Sequence, residues 1–375
     1  MEQNRKDLSH LRKLFLHMEH HLSVEGVLSG VLEGSIHVSD RAAMVTNAQG
    51  VLLGGDPRDT AFFRDMNRVL QEEILPARQR QSKLDYVVFY PVGDGMADAW
   101  DHAVHLLLEG RDAMTDHRLT FQHSLAGLPA ALPEGVEAVS AELLVRLAQT
   151  DGEAAESMQE EIRSSWASVE AFFDRGFGTA GLREDGRVTG WCLTDWVVGS
   201  GCEIGIETFP DHRRQGWGKR MATGTLILAA RRGLTGAGWQ CWASNAGSIG
   251  TAHAAGFREV ASFPIRFGWC ESNNNHLVNG TYWLKGRPGA GIPADPARAA
   301  RHYAAALDIG WDWGGAAWLY WNAACAHARA GDVGKARSYL VKARDKGWRH
   351  PISIAASPPD LVAPDDPEVA ALLYD

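Results

Sequence analysis

Cysteine is scarce in the 375-residue sequence: five residues, at positions 192, 202, 241, 270 and 325, with no Cys-x-x-Cys pair. That excludes a zinc site of the usual spacings and a disulfide-stapled module, and it suits a reducing, cytoplasmic compartment. No apolar run approaches the ~18 residues needed to cross a bilayer, and the opening MEQNRKDLSHLRKLF is too charged for a secretory leader. An unexported chain with no membrane anchor is expected. Positive charge is also in deficit, with 37 basic against 46 acidic side chains and a net charge of −9. Such a field repels phosphate backbones, disfavours nucleic acid and favours cationic partners. His17 and His21 are four apart, but without a third ligand they read as a solvated helix face, so no metal is expected.

The length predicts two or three domains. Leu8, Leu11, Phe15 and Met18 keep helical spacing, which predicts a helix over 5–33 with a break near Ser23. A β-like AAMVTNAQGVLLGG, a helix from Thr60 to about Arg80, strand DYVVFYPV, helix MADAWDHAVHLLLEG and strand RLTFQHS then give an α/β layer. From Val136 a new series begins: a short strand, helices over 141–175, two strands joined at Asp185-Gly186, strand CEIGIETF, a long helix from near Gly216, strand GWQCWAS, a short helix and strand FREVASF. The stretch GRPGAGIPADPA, with three glycines and three prolines, marks a boundary near 286–297. Beyond it, alanine-rich helices around Gly331-Asp332 resemble a tetratricopeptide-type hairpin, which must bury its face on a neighbour or on another chain. The expected segments are 1–130, an α/β region for which a degenerate copy of the next layer is one reading; 134–285, the α/β domain that carries the chemistry; and 295–375, a helical module for a protein partner or self-association.

The chemistry concentrates between Cys202 and Phe257. Strand CEIGIETFP leads through Asp211 and His212 into Arg213-Arg214-Gln215-Gly216-Trp217-Gly218-Lys219-Arg220 and then a helix. Glycines at a strand-to-helix turn let an anion approach, and the first-turn amides and the helix dipole favour negative charge. From His212 to Arg258 there is no acidic residue, while Arg213, Arg214, Lys219, Arg220, Arg231, Arg232 and Arg258 are all basic. A polyanionic ligand is expected, with Arg231 and Arg232 serving instead to complement a helix C-terminus. The sequence has no GxxxxGK[ST] loop and lacks the third glycine of a dinucleotide fingerprint.

Arg-x-x-Gly-x-Gly after a strand resembles the acyl-CoA pyrophosphate loop of the GCN5-related N-acetyltransferase (GNAT) superfamily. Asn245-Ala-Gly-Ser248 and Gly256-Phe257 resemble its second half, and EIGIETFPDHRRQGWGKRMA with GWQCWASNAGSIGTAHAAGF is similar to a bacterial "GNAT acetyltransferase" branch with an N-terminal extension. The match is good over 134–270 and weak over 1–130. The resemblance implies the acyl-CoA N-acyltransferase fold, with an N-terminal α/β region and a C-terminal helical-hairpin module. It further implies that the amides from Arg214 to Lys219, spanning Gln215, Gly216, Trp217 and Gly218, hold the pyrophosphate with Arg213 and Lys219 nearby. Ile206 to Thr208 would pair with the pantetheine arm, and Asn245 and Ser248 would contact the arm or its thioester end.

Acyl transfer needs a neutral amine, and an alkylamine is only ~0.04% neutral at pH 7. Glu203 and Glu207, four apart on one strand, share a face. Glu203 is the first choice for general base; Glu207 is either a second carboxylate at the site or an ion-pair partner of Arg213 or Arg214. The family often has a tyrosine four residues before the final Gly-Phe; here Ala252 holds that position, with His253 beside it, which puts the proton donor in doubt. Of the fourteen tryptophans, most should be core, and one or two among Trp191, Trp196, Trp217, Trp239, Trp242 and Trp269 could wall an acceptor slot by cation–π contact. Asp195 is a weaker acceptor-binding candidate. The reading is an acetyl-CoA-dependent N-acetyltransferase acting on a small cationic amine or a protein amine. The alternative is an acyl-CoA-binding sensor or scaffold that works through its helical tail.

Overall fold

In the computed structural model, residues 9–15, 21–47, 50–76, 86–92, 96–308 and 317–348 are described. The predicted helix over 5–33 is shorter: residues 9–14 are helical, α1 spans His21–Leu28, and Gly30 at φ +72° turns the chain out of it. Leu8, Met18 and His17 lie outside the described residues. The β-like stretch is two antiparallel strands, β2 (Ala42–Asn47) and β3 (Gly50–Gly55), preceded by β1 (Ser35–Val38). Next come α2 (Thr60–Val69), which runs on into a π-helical turn (Leu70–Ile74), β4 (Tyr86–Pro91), α3 (Ala97–Leu107) and β5 (Met114–Ser124).

The second series opens with β6 (Val136–Ala138), α4 (Ala141–Thr150), α5 (Gly152–Ser165) and α6 (Val169–Arg175). Serines start two of these helices: Ser140 and Ser168 accept from the amides of Leu143 and Ala171, which supplies partners for orphan donors. Strands β7 (Gly178–Leu182), β8 (Val188–Val198) and β9 (Gly201–Thr208) form an antiparallel meander. Then follow α7 (Trp217–Arg231), β10 (Gly236–Trp242), α8 (Ala246–Ala254) and β11 (Arg258–Trp269).

One eleven-stranded sheet results, in the order β1-β2-β3-β4-β11-β5-β10-β9-β8-β7-β6. Its two halves repeat a plan. Strands β3 and β4 are parallel with α2 between them in sequence, and β9 and β10 are parallel with α7 between them, because parallel neighbours need a crossover. The final strands are exchanged: β5, from the first series, lies between β10 and β11, while β11, from the second, lies between β4 and β5. Phe121 on β5 is therefore buried with Trp239, Phe257, Met221 and Leu226 of the second series. On the other face, Leu143, Leu147, Met158, Ile162 and Phe172 pack on Trp191 and Leu193.

Among the described residues, a second compact unit comprises 86–87, 108–116, 267–308 and 317–348. Its described helices are α9 (Ser272–Lys285), α10 (Pro296–Leu307), α11 (Ala317–Arg329) and α12 (Val333–Asp345). The proline- and glycine-rich stretch 286–297 joins α9 and α10, whose Leu277, Leu284, Ala299 and Tyr303 share one core, so burial continues across it. Alanines 323, 324, 336 and 343 are buried, as close helix approach requires. Residues 349–375 of the expected helical module lie outside the described residues.

Because Phe121 belongs to the core of the other half, Phe121→Ala should cost about 3–5 kcal/mol. Chemical denaturation should show that loss in a single transition that includes the second-series strands; a separate transition confined to the first 130 residues would contradict the exchange.

Candidate functional site

Strand β9 ends at Thr208, and a 3₁₀ turn over Pro210–His212 carries the chain to Arg213, whose amide donates to Pro210 O at 3.3 Å. Arg214 then takes φ +63° and Gly216 φ +83°, the left-handed region, on either side of Gln215. Positive φ values this close together fold the backbone into a concavity that can present its amides to an anion. The first return bond of α7 is Arg220 N to Gly216 O, 3.1 Å, so the amides ahead of it have no intrahelical acceptor. Nothing lies within 4 Å of where a Gly216 Cβ would stand. Arg213, Arg214, Gln215 and Lys219 are exposed around this mouth.

The loop is braced from behind. Arg213 folds back to donate to Thr208 O at 2.9 Å and to Glu207 Oε1 at 3.1 Å, which makes Glu207 an ion-pair partner of the loop. Gln215 donates to Asp211 O, and Arg220 stacks on the Trp217 ring at 4.1 Å. That indole lies over Gly135 and Gly181, where a Cβ would come within 3.0 Å of it. Gly218 gives α7 room beside Thr251 of α8, whose methyl would be 2.9 Å from a Cβ. Arg231 donates to Ala130 O and Arg232 lies over Phe177, so both serve packing.

The corresponding turn of the first half is built differently. After β3, Asp59 accepts from Phe62 N at 3.2 Å, and Asp56 accepts from Arg58 N at 2.9 Å and pairs with Arg41. Carboxylates of the chain itself engage the amides there, which removes the reason for an anion to bind.

Between β9 and β10 only three residue pairs form, Gly201–Gly236, Cys202–Ala237 and Glu203–Gly238. Beyond them the strands part, although β9 continues through Ile206 to Thr208. A bulge in β8 between Thr194 and Trp196, opposite Ile204 and Glu203, bends the sheet at this level. The extra residue is Asp195, whose carboxylate overlies Gly205. The edge of β9 from Ile204 to Thr208 is thus a run of peptide groups that leads from Glu203 to the loop, about 16 Å at the usual rise per residue.

Alternation sorts the side chains at this point. Cys202, Ile204, Trp239 and Phe121 are in the core with residues of α7 and α8. Glu203, Gly238, Thr120 and Gln122 belong to the opposite set and line a cavity of about 540 Å³ with Trp196 and Arg258. Glu203 is 4% exposed, and its Oε1 has no hydrogen-bond partner among the described residues. Burial, reinforced by Asp195, pushes its pKa well above the ordinary value of 4.5, against the opposing pull of Arg118. Gly238 makes space for it, since a Cβ there would be 2.1 Å from Glu203 Oε2.

Asn245 caps α8, its Oδ1 accepting from Ser248 N at 3.0 Å, and Ser248 Oγ accepts from Trp239 Nε1 at 3.0 Å. Ala252 is fully buried in the core, and His253, exposed, edges Phe121 at 5.3 Å. Sequence reasoning missed Thr120, Gln122 and Gly238. The alternations Thr-Phe-Gln-His-Ser and Gly-Ala-Gly-Trp-Gln mark faces that are polar or open, but nothing local tells that β5 inserts beside β10. Among the described residues no group of three or more His, Cys, Asp and Glu is arranged to hold a metal, and no helix is long and apolar enough to cross a membrane.

The family model "GNAT acetyltransferase" matches residues 12–265, more than half of the chain, which therefore belongs to that family. No curated protein matches the sequence. Among solved structures, a GCN5-related N-acetyltransferase-like protein from Streptococcus suis superposes with a TM-score of 0.51 at 19% identity, covering 72% of this chain and 98% of that one. A GCN5-related N-acetyltransferase from Sphaerobacter thermophilus is similar at 14% identity and a TM-score of 0.42, with 66% and 86% covered. The first of these shows the fold. Family membership makes the chain an acyltransferase that uses acyl-CoA.

Gly216→Val should fold, since its Cβ meets nothing, yet it strains a left-handed position and closes the mouth. Calorimetry with CoA should show affinity lower by about tenfold, the equivalent of ~1.4 kcal/mol; unchanged affinity would remove the loop from the binding site.

Proposed function

We propose that this member of the GNAT acetyltransferase family transfers the acetyl group of acetyl-CoA to a primary amine by direct attack of the amine on the thioester. One observation carries the reading: the buried Glu203 carboxyl stands where β9 and β10 part, at one end of a free strand edge whose other end is the anion loop. In this reading the amides from Arg214 to Lys219 hold the pyrophosphate, with Arg213 and Lys219 nearby. The β9 edge over Ile206 to Thr208 pairs with the pantetheine arm. Asn245, its Oδ1 already engaged, offers its amide N–H groups from the start of α8, beside the Ser248 hydroxyl.

Glu203 takes the proton that the amine must lose. An ordinary glutamate is a poor acceptor for an ammonium of pKa near 10.4, and burial raises the basicity of this one toward the working pH. A separate acid is not required of the chain, because a thiolate is a competent leaving group. Glu207 acts on Arg213 rather than on the amine, as its ion pair supports.

The second reading, an acyl-CoA-binding sensor without turnover, draws on Ala252, which is packed in the core where the family often has tyrosine. Thiol release from acetyl-CoA across an amine panel separates the two. Glu203→Gln should lower kcat by about 10²–10⁴-fold and abolish an acid limb that lies above the usual glutamate range, while CoA affinity holds. The sign for stability is opposite. With the folded pKa raised, stability is fully present below the unfolded glutamate's value and is lost as pH rises through the folded one. Glu203→Gln should therefore melt no lower than the parent at pH 8. Full activity in Glu203→Gln defeats the assignment of the base; CoA binding with no amine-dependent release favours the sensor.

A further inference from the structure

Resting on the acyl-transfer reading, the cavity beside Glu203 constrains what the acceptor can be. Two of its lining residues, Thr120 and Trp196, are each 4% exposed, and each carries a buried polar atom, Oγ1 and Nε1, with no hydrogen-bond partner among the described residues. With Glu203 Oε1 and His123 Nδ1, four residues that line one cavity each carry such an atom. An unmet buried polar group costs roughly 1–3 kcal/mol, so a ligand that satisfies these groups is strongly distinguished from one that does not. An indole N–H can only donate, and its complement must be an oxygen acceptor; a threonine hydroxyl can do both. Gln122, Ser124 and Thr235 extend the same uncharged, hydrogen-bonding lining.

Formal charge is sparse there. Among the lining residues only Glu203 and Arg258 carry it, and His123, held below its ordinary value by burial, adds none at neutral pH. One carboxylate answers one ammonium, and Arg258 repels a second. The net acidity of the whole chain, which points toward cations in general, is not reproduced in this cavity.

We propose that the acceptor is a small amine with a single ammonium group on a hydroxyl-bearing body, in chemical class an amino alcohol or amino sugar, whose oxygens meet Trp196 Nε1 and Thr120 Oγ1. A polyamine leaves charge unmatched against Arg258. A lysine side chain presents methylenes where the cavity presents unpaired polar atoms.

The test follows thiol release from acetyl-CoA with glucosamine, serinol, propylamine, spermidine and a lysine-containing peptide as probes. Glucosamine or serinol should give a kcat/KM at least about tenfold above spermidine and the peptide, as expected where a site is built to hydrogen-bond its substrate. Thr120→Val, which keeps shape and removes one polar atom, and Trp196→Phe, which removes the indole N–H along with part of the ring, should each lower kcat/KM for the hydroxylated amine by about three- to tenfold. The loss should shrink for propylamine, which has no oxygen to lose. Arg258→Glu should raise turnover of spermidine relative to glucosamine. Faster reaction with spermidine or the peptide overturns this proposal and leaves acyl transfer standing. If no amine accelerates thiol release, acyl transfer falls instead, and calorimetry with glucosamine decides the ligand class. Binding that Thr120→Val weakens supports the class; absence of binding overturns it.

Discussion

Glu203 pairs with Gly238, and from that residue onward β9 and β10 share no further hydrogen bonds. The proposed site follows from this parting. A continuous β9–β10 ladder would satisfy every peptide group on the strand and leave no edge for an extended ligand. Parted, β9 has amides and carbonyls that need partners, and unpaired backbone groups shielded from water are costly. The bulge at Asp195 on β8 bends the sheet at the same level, and Gly238 of β10 leaves room for the Glu203 carboxyl where the strands part. In the proposed reading the loop at the far end is the continuation: a polar chain laid along β9 would arrive at exposed amides in a basic setting.

Two halves with one plan have been put to different uses. Both contain a parallel strand pair with a helix between, but the turn after β3 is closed by Asp56 and Asp59, while the turn after β9 is opened by Gly216 and edged by Arg213, Arg214 and Lys219. The first half contributes instead through β5, which supplies Thr120 and Gln122 to the cavity on one face and Phe121 to the core on the other. Its role at the site is to make a wall.

Much of this was legible in the sequence because the signals are local. The Asp185-Gly186 turn, the helices over 141–175 and the helix beginning at Gly216 each depend on a few neighbouring residues, and the structure has them in place. The glycine-bearing basic turn after β9 was legible for the same reason, since glycine spacing and the acid-free run from His212 to Arg258 are one-dimensional facts. Glu203 and Glu207 were seen to share a strand face, but their different surroundings were not, because burial depends on β10 and on the bulge. The exchange of β5 and β11 was invisible: Phe121 and Trp239 are more than a hundred positions apart, and no periodicity within either strand names the other. The stretch 286–297 misled for a related reason. Proline and glycine report a turn in the chain, whereas a boundary is a gap in a core, and Leu284 and Tyr303 are buried together across that turn.

The interleaving of β5 and β11 also bears on how the chain is made. Strand β5 ends at Ser124 and β11 begins at Arg258, so a ribosome working at ~5–20 residues per second leaves an interval on the order of ten seconds before the partner emerges. Throughout that interval the nascent first half holds an open sheet edge that can be taken by the matching strand of a second nascent copy.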